Sequence, residues 1–456
     1  MSDAPLLAFY ADDFTGATDA LEGLARNGLK AGLFTEPPTT DVLNQYEDLD
    51  AIGVASTSRS MAPNEMEAML PDHFTTLDTL NTPIVHYKVC STFDSAPDIG
   101  NIGKAIELAQ EVFSSNYVPL SQPTTAPSDR YVTFGNLFAE ADGEVYRIDR
   151  HPTMSTHPTT PMTEGDIRRH LAEQTNLSIG SVFLPNLTGD ARSALESAKE
   201  HAEIVVFDGV TRSHLERIGR LLWEDAMRES GTLFTVGSSG LEHDALPAYW
   251  KKTGVIEDTS SRLNLQPPVD AIAVMSGSVS PETATQINRA VDNGYKEVRI
   301  DTPRLVDPGT AKQARADAVD EATAAVKAGS SVILYTAKGP DDPAISSTKK
   351  RYESVGPSEP FVPLLGRQQG AILRSVIEQT NISRFCVAGG DTSSHVVSSL
   401  PVEMLMPIGP ISPGSPLCQI VSADETFDAL EVVLKGGKSS DPEYFEIVRQ
   451  GGVHEY

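Results

Sequence analysis

Basic residues are scarce in this sequence: 36 Lys plus Arg stand against 63 Asp plus Glu over 456 residues, a formal charge of −27. So acidic a chain is a poor partner for duplex DNA, RNA or an anionic membrane, which are bound through dense Lys and Arg. Cysteine is scarcer still. Cys90, Cys386 and Cys418 lie far apart with no CxxC pair, which argues against a disulfide framework or zinc knuckle and for a reducing cytoplasm. No run approaches 18 consecutive apolar residues, so no membrane-spanning helix is expected. The opening MSDAPLLAFYADD lacks the basic n-region and long apolar stretch of a secretory signal. The expectation is a soluble, cytoplasmic protein. The phosphate-binding pattern GxxxxGK[ST] and the dinucleotide fingerprint GxGxxG are also missing.

What is present is an ordinary globular composition, 39% hydrophobic and 22% charged. The length suits roughly two to four domains and a core that needs no staples. Short apolar runs at residues 6–10, 31–35, 51–56 and 84–89 alternate with helical patterns, such as Phe14, Ala17, Leu21 and Leu24. That rhythm predicts parallel sheets with crossover helices. Residues 131–138 and 145–149 flank Asp142–Gly143, a hairpin dipeptide, and predict an antiparallel insertion. The α/β rhythm then resumes, with strand-like runs at 181–184, 204–208 and 233–236. The polar, Pro-Pro-ending segment 253–268 reads as a linker. Beyond it, residues 271–275, 297–300, 332–335 and 385–388 are strand-like. The expected architecture is two α/β domains, 1–255 and 265–456, with mostly parallel sheets and the antiparallel insertion in the first.

Four polar segments follow predicted strands, where open α/β sheets bind ligands and helix starts offer free N–H groups. ADDFTGATDA (residues 11–20) places Asp12 and Asp13 at a strand end; either can act on a substrate hydroxyl, or Asp13 can cap the helix. The segment 87–107 supplies Lys88, Ser91, Thr92, Asp94 and Ser95, then Asn101 and Gly103 at a helix start whose amides suit an anion. MSGSVSPETATQI (275–287) offers Ser276, Gly277, Ser278 and Ser280 before Pro281 at a helix start. VAGGDTSSHVV (387–397) offers Gly389, Gly390, Asp391, Thr392 and Ser393. An island of cations, Arg147, Arg150, His151 and His157, lies within residues 147–158. Taken singly, each segment is equally well read as turn and cap chemistry.

Taken together and in this order, ADDFTGATDA, KVCSTFDSAPDIGNIG, MSGSVSPETATQI and VAGGDTSS resemble the four-carbon acid sugar kinases, from Phe9 to about Val448. The resemblance implies a first domain that binds a small anionic sugar acid such as threonate, erythronate or 3-oxo-tetronate. It implies a second domain that binds ATP, with Mg²⁺, and phosphoryl transfer in the inter-domain cleft. Family-like sugar positions fall on Asp12, Asp13, Arg59, Lys88, Ser91, Thr92 and Asp94. Nucleotide positions fall on Ser276, Ser278, Gly389, Gly390, Asp391, Thr392 and Ser393, and on Gly437 in the late turn LKGGKSS (434–440). Two departures stand out. Ser394 replaces a usual glycine, and the late turn keeps one matching glycine, Gly437, with Lys438 after it.

On this reading a carboxylate orients the attacking hydroxyl, most simply the terminal one, while Mg²⁺ bridges the phosphates. Lys88 and Arg59 would pair with the sugar carboxylate. Asp13 is the expected catalytic base, with Asp12 the alternative and Asp391 a third possibility; the magnesium ligand is not assigned. The alternatives are a non-catalytic acid-sugar sensor, motivated by the altered late turn, and a sugar-acid dehydrogenase. A homodimer is the default assembly.

Overall fold

The run LAFYA has no polar face, and in the computed structural model of the protein it is buried throughout as strand β1 (Leu7–Ala11). The structure describes residues 4–453 except 47, 126–128, 142, 158, 229–230 and 437–438. The chain divides into two units, Met1–Arg262 and Leu263–Tyr456.

In the first unit β1 lies between β3 (Ala51–Ala55) and β4 (Ile84–Lys88), parallel to both. β2 (Ala31–Phe34) pairs with the far side of β3. Beyond β4 the order runs β11 (Leu233–Gly237), β5 (Val118–Ser121), β10 (Ile204–Phe207) and β9 (Ile179–Val182), all parallel. The register aligns Ala11 with Lys88, and Lys88 with Gly237, so these three strand ends stand side by side. That alignment positions the site described below.

The antiparallel insertion is present as β6 (Arg130–Thr133), β7 (Asn136–Ala141) and β8 (Glu144–Arg147). Residues 131–138, expected as one strand, are two. Phe134 and Gly135 turn the chain with φ of 50° and 77°, the left-handed pair of a tight hairpin. The buried Asp208 carboxylate accepts from both of their N–H groups, at 2.7 and 2.9 Å. A side chain distant in sequence thus supplies the turn's acceptor. The turn expected at Asp142–Gly143 rests on Asp142, which lies outside the described residues. Val132, Leu137 and Ala139 share one apolar core with Tyr10, Phe74 and Tyr87, so the insertion packs on the same core as the main sheet.

The second unit has the order β13 (Lys296–Arg299), β14 (Val332–Tyr335), β12 (Ala273–Ser276), β15 (Arg384–Ala388), β18 (Glu431–Lys435), β17 (Ser415–Val421) and β16 (Met404–Ser412). The first five are parallel and the β17–β16 hairpin is antiparallel. Sequence reading misses this hairpin. Prolines recur through MPIGPISPGSP, and strands tolerate Pro only at edges or irregularities. Register shifts at Pro407/Gly409 and Gly409/Ser412 accommodate it. A separate core, including Val274, Ile333, Cys386, Val433 and Phe445, fills this unit.

Candidate active site

The chain leaves β1 directly into Asp12 and Asp13, which are 2% and 5% exposed. Asp13 caps the helix Phe14–Arg26, its Oδ1 accepting from Gly16 N at 2.9 Å, and it also accepts from the Thr15 hydroxyl. The capping and site readings of Asp13 therefore coexist. Asp12 is paired in fork geometry by Arg59, with Nε at 3.0 Å and Nη2 at 2.6 Å; the same Nη2 reaches Asp13 at 2.8 Å. Arg59 sits in a short turn whose N–H donates to Asp12 O. Gly100 abuts that turn with φ of 57°, and a Cβ there would stand 2.4 Å from Arg59 O.

These contacts split the two carboxyls. Burial raises Asp12 above the ordinary carboxylate range, more than Arg59 lowers it. Burial also pushes on Asp13, but Arg59, Lys88 and the bonds from Thr15 and Gly16 outweigh it and hold Asp13 below that range. Pushing two neighbouring carboxyls apart is a usual way to give them different duties.

Lys88 ends β4 and is 3% exposed. Its Nζ lies over the amino end of the helix Phe14–Arg26, 2.1 Å from where a Gly16 Cβ would stand, so any side chain there would displace the ammonium. Among the described residues no carboxylate lies within ion-pair distance of it. In the loop that follows, Thr92 donates to Asp94 at 2.6 Å and Cys90 Sγ meets Thr92 Oγ1 at 3.0 Å. Ser91 lies in this loop, and Phe93 turns it with φ of 63°. Arg130, buried at the start of β6, is held below the usual guanidinium range by burial and has the Asp94 carboxylate among the groups acting on it.

Two sequence expectations are corrected here. The helix Ile102–Val112 does not offer free amides: Asn101 Oδ1 accepts from Lys104 N at 2.6 Å and Gln174 Oε1 from Ile102 N at 2.8 Å. Three of the four cations in the island are engaged locally. Arg147 is bound in fork fashion to Asp149 at 2.6 Å, and His151 and His157 accept from nearby backbone N–H groups. Sequence reading also misses the segment GSSGLEHDA (237–245), which follows β11 beside Lys88. There Ser239 donates to Asp19, and His243 Nε2 lies 3.0 Å from Asp19 Oδ1. The signal was available, since Gly-Ser-Ser-Gly after an apolar run has the form of the other segments.

In the second unit, Gly277 N and Ser278 N both donate to Ala388 O, at 3.0 and 3.2 Å, which fastens the two glycine-containing turns together. Ser276 is fully buried beneath them. Ser278 Oγ accepts from Thr283 at 3.0 Å. Gly389 has φ of 120°, and a Cβ on Gly277 would fall 2.0 Å from Thr392 Oγ1. Both glycines are therefore required by shape. Asp391 is exposed in the first turn of the helix Gly390–Val397, while Ser393 is buried and donates to Val387 O. Ser394 is buried, bonding Gly390 O at 3.2 Å, so the serine in place of glycine turns into its own helix. Lys435 is an addition: fully buried, its Nζ donates to Thr283 Oγ1 and Gly436 O, each at 3.2 Å. Gly437 and Lys438 lie outside the described residues. Beside Gly277, Asp391 and Thr392 opens a cavity of about 190 Å³, walled by apolar side chains including Val279, Ile345, Val362 and Leu365.

Residues 7–245 match the family model of a sugar-binding N-terminal domain, and residues 273–445 that of a nucleotide-binding C-terminal domain. The chain is 39% identical to a 3-oxo-isoapionate kinase of Paraburkholderia graminis, over 98% of this chain and 94% of that protein. It is 28% identical to a 3-oxo-tetronate kinase of Cupriavidus necator, over 100% and 99%. Among solved structures, a Salmonella typhimurium LT2 protein, provisionally described as a tRNA synthase, superposes with a TM-score of 0.74 at 25% identity, over 96% of this chain and 98% of that one. A Haemophilus influenzae protein shares the fold, with a TM-score of 0.67 at 22% identity over 97% and 99%. The chain belongs to the four-carbon acid sugar kinase family and is a carbohydrate kinase, a phosphotransferase acting on acid sugars.

Proposed function

We propose that the protein transfers the γ-phosphoryl group of Mg-ATP to a hydroxyl, the terminal one, of a small 3-oxo sugar acid. The observation that carries the acid-sugar half is Lys88: a buried ammonium with no carboxylate partner among the described residues, at the amino end of a helix. A buried cation calls for a counterion, and the helix end adds partial positive charge. Arg59 is committed to Asp12 and Asp13, so in this reading Lys88 takes the sugar carboxylate and Arg59 holds the two aspartates. Asp13, kept ionised, orients the attacking hydroxyl. Asp12, Ser91, Thr92 and Asp94 bind the remaining hydroxyls.

The second unit suits a nucleotide. The turns at Gly277 and Gly389 leave bare backbone where phosphates need close approach, and the apolar cavity beside Thr392 suits a purine. When bound, Mg-ATP supplies the phosphoryl group and the metal offsets charge on it. In this reading the exposed Asp391 would hold the metal, which ordinarily takes one or two carboxylates plus phosphate oxygens. Ser278 and Lys435 sit where they steady the phosphates.

The 3-oxo acids stand ahead of threonate and erythronate because both relatives are named for 3-oxo acids. The test is ADP release at saturating Mg-ATP with 3-oxo-isoapionate, 3-oxo-tetronate, and both enantiomers of threonate and erythronate. At least one 3-oxo acid is expected to exceed every reduced acid about 10-fold in kcat/KM, a modest discrimination for one polar group. A reduced acid turned over best would reverse the preference, and no ADP with any of them would overturn the reading.

A further inference from the structure

His243 has an unusual setting. It lies in a π-helical turn, Leu241–Ala245, a geometry that inserts an extra residue and often marks functional positions. The turn lets two consecutive residues reach different elements. Glu242 meets His86 of β4 in the core, and His243 meets the helix Phe14–Arg26. His243 Nε2 faces two acceptors, Asp19 Oδ1 at 3.0 Å and Asp19 O at 2.9 Å, so this nitrogen carries a proton. Asp19 Oδ2 takes the Ser239 hydroxyl. The ring is held close: a Cβ on Gly23 would lie 2.7 Å from it, and Asn27 Nδ2 donates to His243 O at 2.9 Å. Asp19 and His243 are each about a quarter exposed, at 24% and 23% of the side chain.

Asp19 lies one helical turn beyond Gly16, the residue over which Lys88 Nζ sits, and Lys88 acts on Asp19 electrostatically. We propose that Asp19 and His243 are positioning residues for acid-sugar binding: the pair sets how much of the Lys88 charge is left for the substrate carboxylate. This inference rests on the reading of Lys88 given above. While His243 is protonated it shares the Asp19 charge, and Lys88 remains open to an incoming anion. Once His243 is neutral, Asp19 falls to Lys88 alone, the corner loses one positive charge, and anion binding weakens.

The groups facing His243 are Asp19 and Glu22 from the helix, with Lys88 beyond Asp19, and Asp244 from its own turn, itself paired with Arg212 of the helix Arg212–Ala226. Burial lowers the imidazole, but Asp19, then Glu22 and Asp244, more than reverse this and raise it to about 9. His243 is therefore a cation at neutral pH, and its charge is lost as pH rises through about 9.

The experiment is steady-state kinetics of the full-length enzyme between about pH 7 and 9.5, varying the best acid sugar at saturating Mg-ATP. In the unmodified enzyme, KM for the acid sugar should stay level to about pH 8 and climb beyond it by up to about 5-fold, the scale of one lost charge partner. His243→Gln, which keeps a donor but not the charge, should show the raised KM already at neutral pH and a flat profile, with KM for ATP unmoved. Ser239→Ala should shift KM in the same direction by less. A level KM across pH 9 in the unmodified enzyme overturns the inference without any variant. An unaltered profile in His243→Gln does so as well. Lys88→Met separates the two readings: an unchanged KM there removes the Lys88 site itself, whereas a raised KM with a flat profile in the unmodified enzyme removes only the Asp19–His243 role.

Discussion

Arg59 spends its guanidinium on both Asp12 and Asp13, and what separates the two carboxyls is the further support that Asp13 alone draws from Thr15 and Gly16. Asp12 takes the fork and is buried with it. Asp13 keeps one edge on the helix end, and Arg59, the Lys88 charge and the bonds from Thr15 and Gly16 hold its carboxyl below the ordinary range. In phosphoryl transfer such a carboxylate orients a hydroxyl more than it removes a proton, so a low pKa is no handicap. Asp13→Asn is expected to lower kcat about 10²-fold or more, the scale of a lost general base, with KM for ATP little changed. Unaltered turnover in a coupled ADP assay would take Asp13 out of the reaction. Adjacency in the chain made the aspartate pair legible in sequence. The choice between them was not, because it depends on an arginine from another strand end and on burial.

At the scale of elements, the second unit depends on two turns that contain glycine for different reasons. Gly389 has φ of 120°, a backbone conformation costly for any side chain, and Ser278 N lies 3.2 Å from its missing Cβ. Gly277 is needed because Thr392 fills the space. Gly389→Ala should therefore strain the turn by about 1–3 kcal/mol and raise KM for ATP about 10-fold, leaving KM for the acid sugar near its original value. Equal effects on both substrates, measured by varying each at saturation of the other, would argue against a nucleotide role for this turn. These strand-to-helix turns were legible because apolar run, glycine and small polar residue are consecutive. The helix start at Ile102 shows the opposite case. Its amide end looked open in sequence, and Gln174 Oε1 occupies it from another helix-containing segment.

For the whole molecule, the charge of −27 matters as a field more than as a contact. Repulsion among excess carboxylates weakens the folded state, and salt screens it over a Debye length of about 10 Å at 0.1 M. Raising KCl from about 0.05 to about 0.5 M is expected to raise Tm by about 3 °C or more; a fall across that range, followed by calorimetry, would show that favourable surface ion pairs outweigh the repulsion. The sequence by itself determined the α/β alternation, the antiparallel insertion, the strand-end aspartates and the glycine turns, because each is a local pattern of burial or backbone freedom. The tertiary structure alone decided that Arg59 serves the aspartates, that Lys88 has no carboxylate partner among the described residues, and that His243 meets Asp19 across 224 positions. The physical reason is strand order. Setting β1 beside β4, and β4 beside β11, brings three distant chain segments together at the carboxyl ends of neighbouring strands, and charge pairing there follows proximity in space that no spacing in the chain records.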